Sequence, residues 1–252
     1  MPAMSYERIA HLYDAYVQVD FDLKFFLEEA QKTSGKVLEL MSGTGRVSIP
    51  LIEAGVDLTC IDSSPGMLKV LRNKIQEKGI SATVIEMDVC ELFLEDKYDL
   101  IFIPFHSFAE ITSISQQRQT LEKIHQHLTI DGRFICTLHN PPIRLKRVDG
   151  SLRLLGKFPL KERNEVLFLW LVENYIESKN MVKGQQFYEI YGGNGQMISK
   201  LFLDTKFYVH DKNSFEALVG DLSFRVVNIY GNYDWGEFDE KTSPVMIWSL
   251  KK

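Results

Sequence analysis

The chain is poor in the features that would staple or anchor it. It has three cysteines in 252 residues, Cys60, Cys90 and Cys136. They are odd in number, widely spaced and set among apolar neighbours, which argues for reduced core thiols in a cytoplasmic protein, not bridges or metal ligands. Long apolar runs are missing. Leu100 to Phe105 and Val166 to Val172 fall far short of the ~20 residues of a membrane helix. Met1 to Arg8 hold no apolar segment of a secretory signal, so neither an anchor nor a leader is expected. Positive charge is also short: 29 Lys and Arg stand against 34 Asp and Glu, a net charge of −5. That balance argues against broad nucleic-acid binding.

One stretch departs from this balance. Between Pro141 and Arg163 lie Arg144, Lys146, Arg147, Arg153, Lys157, Lys161 and Arg163 against Asp149 and Glu162. It reads either as a solvated loop and strand edge or as a patch for an acidic substrate.

What is present is ordinary globular composition, with 45% hydrophobic and 25% charged residues. A chain of this length buries roughly 70–75% of its unfolded surface and needs no covalent staple. Its first half alternates short apolar strands with amphipathic helices. Lys36 to Leu40, Leu58 to Ile61, Thr83 to Glu86, Leu100 to Ile103 and Arg133 to Leu138 read as strands. A helix is expected from Arg46 to Glu53. A second begins at Ser63 or Ser64 with Pro65 in its first turn and stops at Gly79. A third is marked by Ile111, Ile114, Leu121, Ile124 and Leu128. Apolar strands separated by helices imply a parallel sheet covered on both faces.

The second half changes period. Val166 to Val172 reads as a thick, doubly buried strand, and Met181 to Tyr191 and Gln196 to Val209 follow it across turn signals. This is an antiparallel meander inserted after the fifth sheet strand. A short helix capped by Asn213 or Ser214 and ended by Gly220 comes next. A hairpin of Arg225 to Tyr230 with Val245 to Leu250 closes the chain.

The segment Val37-Leu38-Glu39-Leu40-Met41-Ser42-Gly43-Thr44-Gly45-Arg46 carries the strongest chemical signal. A strand ends in a carboxylate and a glycine-rich turn then opens a helix, so backbone N–H groups can approach a ligand. Asp62 and Asp88 end the next two strands, and the carboxyl ends of adjacent parallel strands share one crevice. Three converging acids beside a glycine turn suit a cationic, ribose-bearing nucleoside better than a pyrophosphate. A dinucleotide fingerprint also wants a third glycine where this chain has Ser48. Each acid has a plainer reading: Glu39 could pair with Arg46, and Asp62 could cap the helix at Ser63.

With these residues in place, the chain resembles the class I S-adenosylmethionine-dependent methyltransferases over about Ser34 to His139, plus the terminal hairpin. The resemblance implies a Rossmann-like methyltransferase fold: a mostly parallel seven-stranded α/β sheet, helices on both faces and an inserted antiparallel β meander. It implies one domain, with N-terminal lid helices over about 1–34, a cofactor-binding core over 35–140, a cap over 143–210 and the terminal helix and hairpin over 211–252. S-adenosylmethionine is the implied cofactor, and no metal is expected. Glu39 matches the acid that holds the methionine amino group, with Met41, Gly43, Thr44 and Gly45 around the methionine part. Met41 stands where the family has its first glycine. Asp62, with Ser63 beside it, matches the ribose-binding acid. Met67 matches the residue packed on adenine, Asp88 and Val89 match the contacts to the adenine edge, and Phe105 lies in the segment after the fourth strand.

That segment, Pro104-Phe105-His106-Ser107-Phe108-Ala109-Glu110, is similar to its counterpart in small-molecule methyltransferases, among them amino-sugar N-methyltransferases and glycine-methylating enzymes. Glu110 falls where the sugar enzymes have a histidine. Tyr13-Asp14-Ala15-Tyr16 is similar to their tyrosine-bearing lid helix. His139-Asn140-Pro141-Pro142-Ile143 resembles the Asn-Pro-Pro-aromatic motif of amide and adenine amino-group methyltransferases, yet it follows the fifth strand and ends in Ile143. The implied function is methyl transfer to the nitrogen or oxygen of a small molecule, with Glu110, His106, His139 and Tyr13 as candidate catalytic groups. The expected assembly is a monomer or homodimer. An RNA methyltransferase using residues 144–163 and a non-catalytic cofactor-binding subunit are the alternatives.

Overall fold

The computed structural model describes residues 6–160 and 163–252. The first five residues of the expected lid, and Lys161 and Glu162 of the basic stretch, lie outside the described residues. Helices α1 (Ala10–Tyr16) and α2 (Leu23–Gln31) precede a core of β1 (Val37–Leu40), α3 (Ser48–Glu53), β2 (Leu58–Asp62), α4 (Pro65–Lys78), β3 (Thr83–Glu86), β4 (Tyr98–Ile103), α5 (Ile114–His127) and β5 (Leu128–His139). The short α6 (Pro141–Arg144) leads to the cap strands β6 (Arg153–Leu160), β7 (Glu165–Ile176), β8 (Met181–Gly192) and β9 (Met197–Tyr208). Helix α7 (Lys212–Gly220), β10 (Arg225–Tyr230) and β11 (Val245–Lys251) complete the chain. Among the described residues, no helix is long and apolar enough to cross a membrane.

The main sheet has seven strands in the order β10-β11-β5-β4-β1-β2-β3. Its core pairs are parallel and β11 runs antiparallel between β5 and β10, as the fold class requires. β1 is buried along its whole length, which is what an apolar strand between two helical layers does. The three cysteines are free and buried. α2 is tied across the sheet by Glu29, which is 2% exposed. Its carboxylate accepts from Arg133 at 2.6 Å and from the Trp235 indole at 2.8 Å.

Several boundaries differ from the sequence expectation. α3 starts at Ser48 instead of Arg46. β5 begins at Leu128, because Asp131-Gly132, which reads as a turn, is absorbed into an irregular register opposite Tyr98 and Leu100. α7 is capped by Asp211, whose Oδ1 accepts from the Ser214 N–H at 2.7 Å, and not by Asn213 or Ser214. The cap has a fourth strand, β6. Its Leu154 and Leu155 are exposed, so it lacks the inward apolar alternation that marks a strand in sequence. β7 is buried on one face only: Leu167, Leu169 and Leu171 point inward while Phe168 and Trp170 stay half-exposed.

The helix starting at Pro65 behaves as its cap predicts. Ser64 Oγ accepts from the Met67 N–H at 3.3 Å, and Gly79 closes the helix with φ +63°. Gly45 is needed twice over: its φ is +83°, and a Cβ there would lie 2.3 Å from Leu71 Cδ1. Leu71 is fully buried and has little room to yield. Gly45→Ala is therefore expected to cost about 1–3 kcal/mol, read as a lower denaturant midpoint at unchanged m-value. An unchanged midpoint would show that α4 can retreat from the turn.

Candidate active site

The crevice forms at the carboxyl edge of β1, β2 and β4. After β1 the chain turns sharply, with Met41 at φ +60°, Gly43 at +56° and Gly45 at +83°. Met41, the position where the family has a glycine, thus holds a left-handed conformation despite its side chain, a strain of order 1 kcal/mol. Among the described residues, no atom beyond the chain neighbours lies within 4 Å of where a Cβ on Gly43 would be. Asp62 fastens this turn to the next helix. Its Oδ2 accepts from the Gly43 N–H and its Oδ1 from the Ser64 N–H, both at 2.8 Å. Asp62 thus does meet the helix start, but Ser64 is the cap. A carboxylate has about four lone-pair sites, so two remain.

Glu39 is 1% exposed, and its Oε2 accepts from Ser48 Oγ at 2.5 Å. Burial pushes its carboxyl up to about 8, against the lowering effects of Ser48 and the Arg46 charge. Arg46 itself pairs with Asp22 and not with Glu39. Nη2 meets Asp22 Oδ2 at 2.6 Å, and the guanidinium lies 4.7 Å over the Phe105 ring. Ser48 occupies the third-glycine position of a dinucleotide fingerprint and spends its hydroxyl on Glu39. Met67 is buried and Val89 nearly so. Asp88 is exposed and its Oδ1 accepts from the Cys90 N–H at 2.9 Å, capping a 3-10 turn at Val89–Glu91.

The N-terminal segment is pinned over this crevice. Thr44 Oγ1 donates to Asp14 Oδ1 at 2.7 Å, and Lys74 bridges Asp14 Oδ2 at 2.6 Å and the Thr44 carbonyl at 2.9 Å. Glu7 Oε2 accepts from the Gly66 N–H at 2.6 Å and from Ser64 Oγ at 3.0 Å. Ile9 and Leu12 pack into a cluster with Leu167, Leu169, Tyr188 and Leu203 of the cap. The N-terminal segment is therefore held between the inserted sheet and the core. Tyr13 stacks edge-on with Tyr6 and Tyr16, at ring separations of 6.0 and 5.4 Å. Tyr16 and Tyr188 share a 3.2 Å hydroxyl contact.

Glu110 sits in a separate 3-10 turn, Ser107–Glu110, ahead of α5. It is not that helix's first-turn carboxylate. Its Oε1 accepts from the Tyr6 hydroxyl at 2.5 Å, and burial pushes the carboxyl up to about 7 although Tyr6 lowers it. Burial, reinforced by Glu110, also raises the Tyr13 hydroxyl. His106, at φ +64°, stacks on His139 with ring centroids 3.9 Å apart. Burial brings His106 down to about 4 and lowers His139 well below its ordinary value, so the pair is neutral near pH 7. Asn140 is spent on structure: its Nδ2 donates to the Glu240 and Ser243 carbonyls at 2.8 and 2.7 Å. The basic stretch does not form one free patch, since Arg144 and Arg153 both bind Glu173. Glu39, Gly43, Gly45 and Asp62 thus share one crevice, with Tyr13 and Glu110 at its lid side and the two histidines together at the ends of β4 and β5. Sequence reasoning missed Tyr6, Glu7 and the Arg46–Asp22 pair, which lie far apart in the chain. Asp14 lay inside a segment read only for its tyrosines.

Residues 37–132 match the family model described as a methyltransferase domain. A glycine/sarcosine N-methyltransferase of Aphanothece halophytica is 31% identical over 120 residues, 46% of this chain and 45% of that protein. The chain spans about half the length of the curated relatives it matches. A solved S-adenosylmethionine-dependent methyltransferase from Clostridium acetobutylicum superposes with a TM-score of 0.79 at 18% identity over 98% of both chains. A sugar N-methyltransferase from Streptoalloteichus gives 0.74 at 13% identity, covering 96% of this chain and 92% of that one. Residues 37–132 thus match a methyltransferase domain, and the fold is the one seen in solved S-adenosylmethionine-dependent methyltransferases. The proteins it resembles include enzymes named for glycine and sarcosine and for a sugar.

Asp62, Glu39 and Glu110 are all pushed up by burial, and for the two glutamates the shift has a measurable consequence. Each holds its proton in the folded state to about 8 (Glu39) or about 7 (Glu110), against an ordinary value of 4.5. Between those limits the folded state binds more protons than the unfolded one, so stability falls as pH rises. The expected slope is up to about 1.4 kcal/mol per pH unit for each group. Denaturation of the ligand-free protein from pH 5 to 8 is expected to flatten in Glu39→Gln and in Glu110→Gln, while equal slopes in all three proteins would refute these shifts.

Proposed function

We propose that this chain transfers the methyl group of S-adenosylmethionine to a nitrogen or oxygen of a small acceptor inside a closed pocket. Enclosure carries the reading: the crevice at Gly43, Asp62 and Glu110 lies beneath a lid that is itself packed under the cap. A polymeric acceptor would need an open groove. The residues present fit the cofactor. Glu39 is a buried carboxyl that an ammonium group would return to its charged form, and Asp62 keeps two lone-pair sites for ribose hydroxyls. Gly43 leaves room beside the turn, and Met67 and Val89 give apolar walls. When bound, the cofactor supplies an electrophilic methyl group on a sulfonium.

The chain's own work is to orient and to dry the site. Most of the acceleration comes from holding the nucleophile in line within a water-excluded pocket. Tyr6 fixes one oxygen of Glu110 and leaves Oε2 to accept a proton from an acceptor that carries one. A carboxyl near 7 is suited to that task, whereas the neutral His106–His139 stack orients and shields. Tyr13, on the lid helix α1, would steer the acceptor.

Asp62→Ala is expected to weaken S-adenosylmethionine by about 1.5–3 kcal/mol, measured by calorimetry on the folded variant. In a thermal-shift panel S-adenosylmethionine should stabilise the wild type and NAD should not. Stabilisation by NAD alone would sink the proposal.

A screen of small amines and alcohols, read by release of the demethylated cofactor, supplies the acceptor for the next test. Glu110→Gln should then keep cofactor affinity and lose about 10²-fold in turnover. Activity should rise with pH through about 7, as the base loses its proton. Tyr6→Phe removes a donor to the carboxylate, so this limb should move to higher pH. Full turnover in Glu110→Gln would remove Glu110 from the chemistry.

A further inference from the structure

The inserted sheet has two faces, and the chain packs against one of them. Leu167, Leu169, Tyr188, Ile190 and Leu203 point inward and hold Ile9 and Leu12 of the N-terminal segment. Side chains of a strand alternate between faces, so the residues between these point away from the molecule. The strand register lines up Leu154, Trp170, Phe187 and Phe202 in one row across β6, β7, β8 and β9. Phe168 and Tyr191 lie beside that row with their ring centroids 5.3 Å apart. None of these six joins a buried apolar cluster among the described residues. Phe202 is 54% exposed, and Leu154, Met197 and Ile198 are also exposed. A contiguous apolar face of this kind marks an interaction surface.

The polar groups on this face are already paired within it. Glu189 accepts from the Trp170 indole at 3.1 Å, from the Tyr191 hydroxyl at 3.3 Å and from Lys200 at 2.7 Å. Gln185 donates to Asp204 at 2.9 Å. Lys157 and Lys200 stand over the Phe168 and Phe187 rings, at 5.4 and 5.8 Å. A partner can therefore cover the aromatic centre without stranding a carboxylate, which is where burial of polar groups becomes costly. An aromatic centre with charges of both signs around it is also the anatomy of a protein interface.

We propose that this outer face is covered by the same face of a second copy of the chain, two sheets packed face to face about a two-fold axis. The size fits. β7, β8 and β9 have 12 residues each and β6 has 8. At strand spacings of about 4.8 Å and a rise of about 3.3 Å per residue, the face measures roughly 40 by 19 Å. That is about 750 Å², close to the ~800 Å² per partner of a standard stable interface. Charge fits as well, because Glu189 and Asp204 are interspersed with Lys157, Lys183, Lys200 and Lys206. A copy of the same face presents matching cations and anions, whereas an anionic polymer would meet the two carboxylates. A two-fold dimer uses one patch on both copies and leaves none uncovered. It would also brace, from outside, the sheet whose inner face holds the N-terminal segment.

The test is sedimentation equilibrium of the full chain over a dilution series. The wild type should be a dimer with a dissociation constant of about 1 µM or tighter, as standard-size interfaces are. Phe202→Glu should weaken association about 30-fold or more, the loss of one buried aromatic anchor. Leu154→Glu, on a different strand of the same face, should weaken it in the same direction. Ile130→Glu places the same charge at a residue that is 82% exposed on the main sheet and should leave the dimer intact. Circular dichroism on each variant shows that the monomer remains folded, as expected for exposed positions. A wild type that stays monomeric well above that concentration overturns the proposal. So does a dimer that neither Phe202→Glu nor Leu154→Glu weakens, since its interface then lies elsewhere. Binding of a monomeric wild type to anionic lipid vesicles would give the face to a membrane surface and likewise overturns it.

Discussion

One carboxylate fixes the geometry on which the rest of the site is built. Asp62 accepts from Gly43 on one side and from Ser64 on the other, joining the turn after β1 to the start of α4. Both ends of that clasp are what the lid then grips: Asp14 holds Thr44, next to Gly43, and Glu7 holds Ser64 and Gly66. The lid is therefore referenced to the same backbone that shapes the crevice. A shift of Asp62 moves the floor and the roof together. The αL conformations at Met41 and Gly43 persist because the surrounding contacts over-determine them.

Charge inside this enclosure follows from its dryness. Glu39, Glu110 and Asp62 are all pushed up by burial. Without a nearby cation a buried carboxyl keeps its proton. The ligand-free protein thus holds at Glu39 a group ready to become an anion when a cation arrives, and at Glu110 one that changes state near neutral pH. The histidine stack, held neutral, adds no positive charge to repel a sulfonium.

How much of this was legible in the sequence depended on how local each signal was. The strand–glycine-turn–helix unit, the place of Asp62 at the end of β2 and the terminal hairpin could be read because each is local and governed by backbone geometry, whereas the expected convergence of Asp88 could not, since it is exposed and caps a turn. β6 was hidden because Leu154 and Leu155 face outward and only Phe158 and Leu160 pack inward, and the start of β5 because Asp131-Gly132 carries turn chemistry within a strand. Asp22, Tyr6 and Glu7 were not legible. Their partners lie 24, 104 and 59 residues away, and nothing in a single sequence joins them. The plain readings sometimes prevailed: Asn140 clips a loop, and the basic stretch spends two of its arginines on Glu173.

The placement of Glu110, the proposed base, links the N-terminal segment to the crevice. Glu110 comes from the sheet edge, but the hydroxyl bound to it belongs to Tyr6 of the lid. Ile9 and Leu12, a few residues further on, are buried against the cap. An opened lid would remove a donor from Glu110 and admit water to it at once. Hydration would lower the carboxyl and loss of the Tyr6 donor would raise it, so the proton-accepting state tuned near 7 belongs to the closed form. The N-terminal segment, the inserted sheet and Glu110 are therefore joined in one set of contacts, and in the proposed reaction the inserted sheet would fix where that segment sits over Glu110.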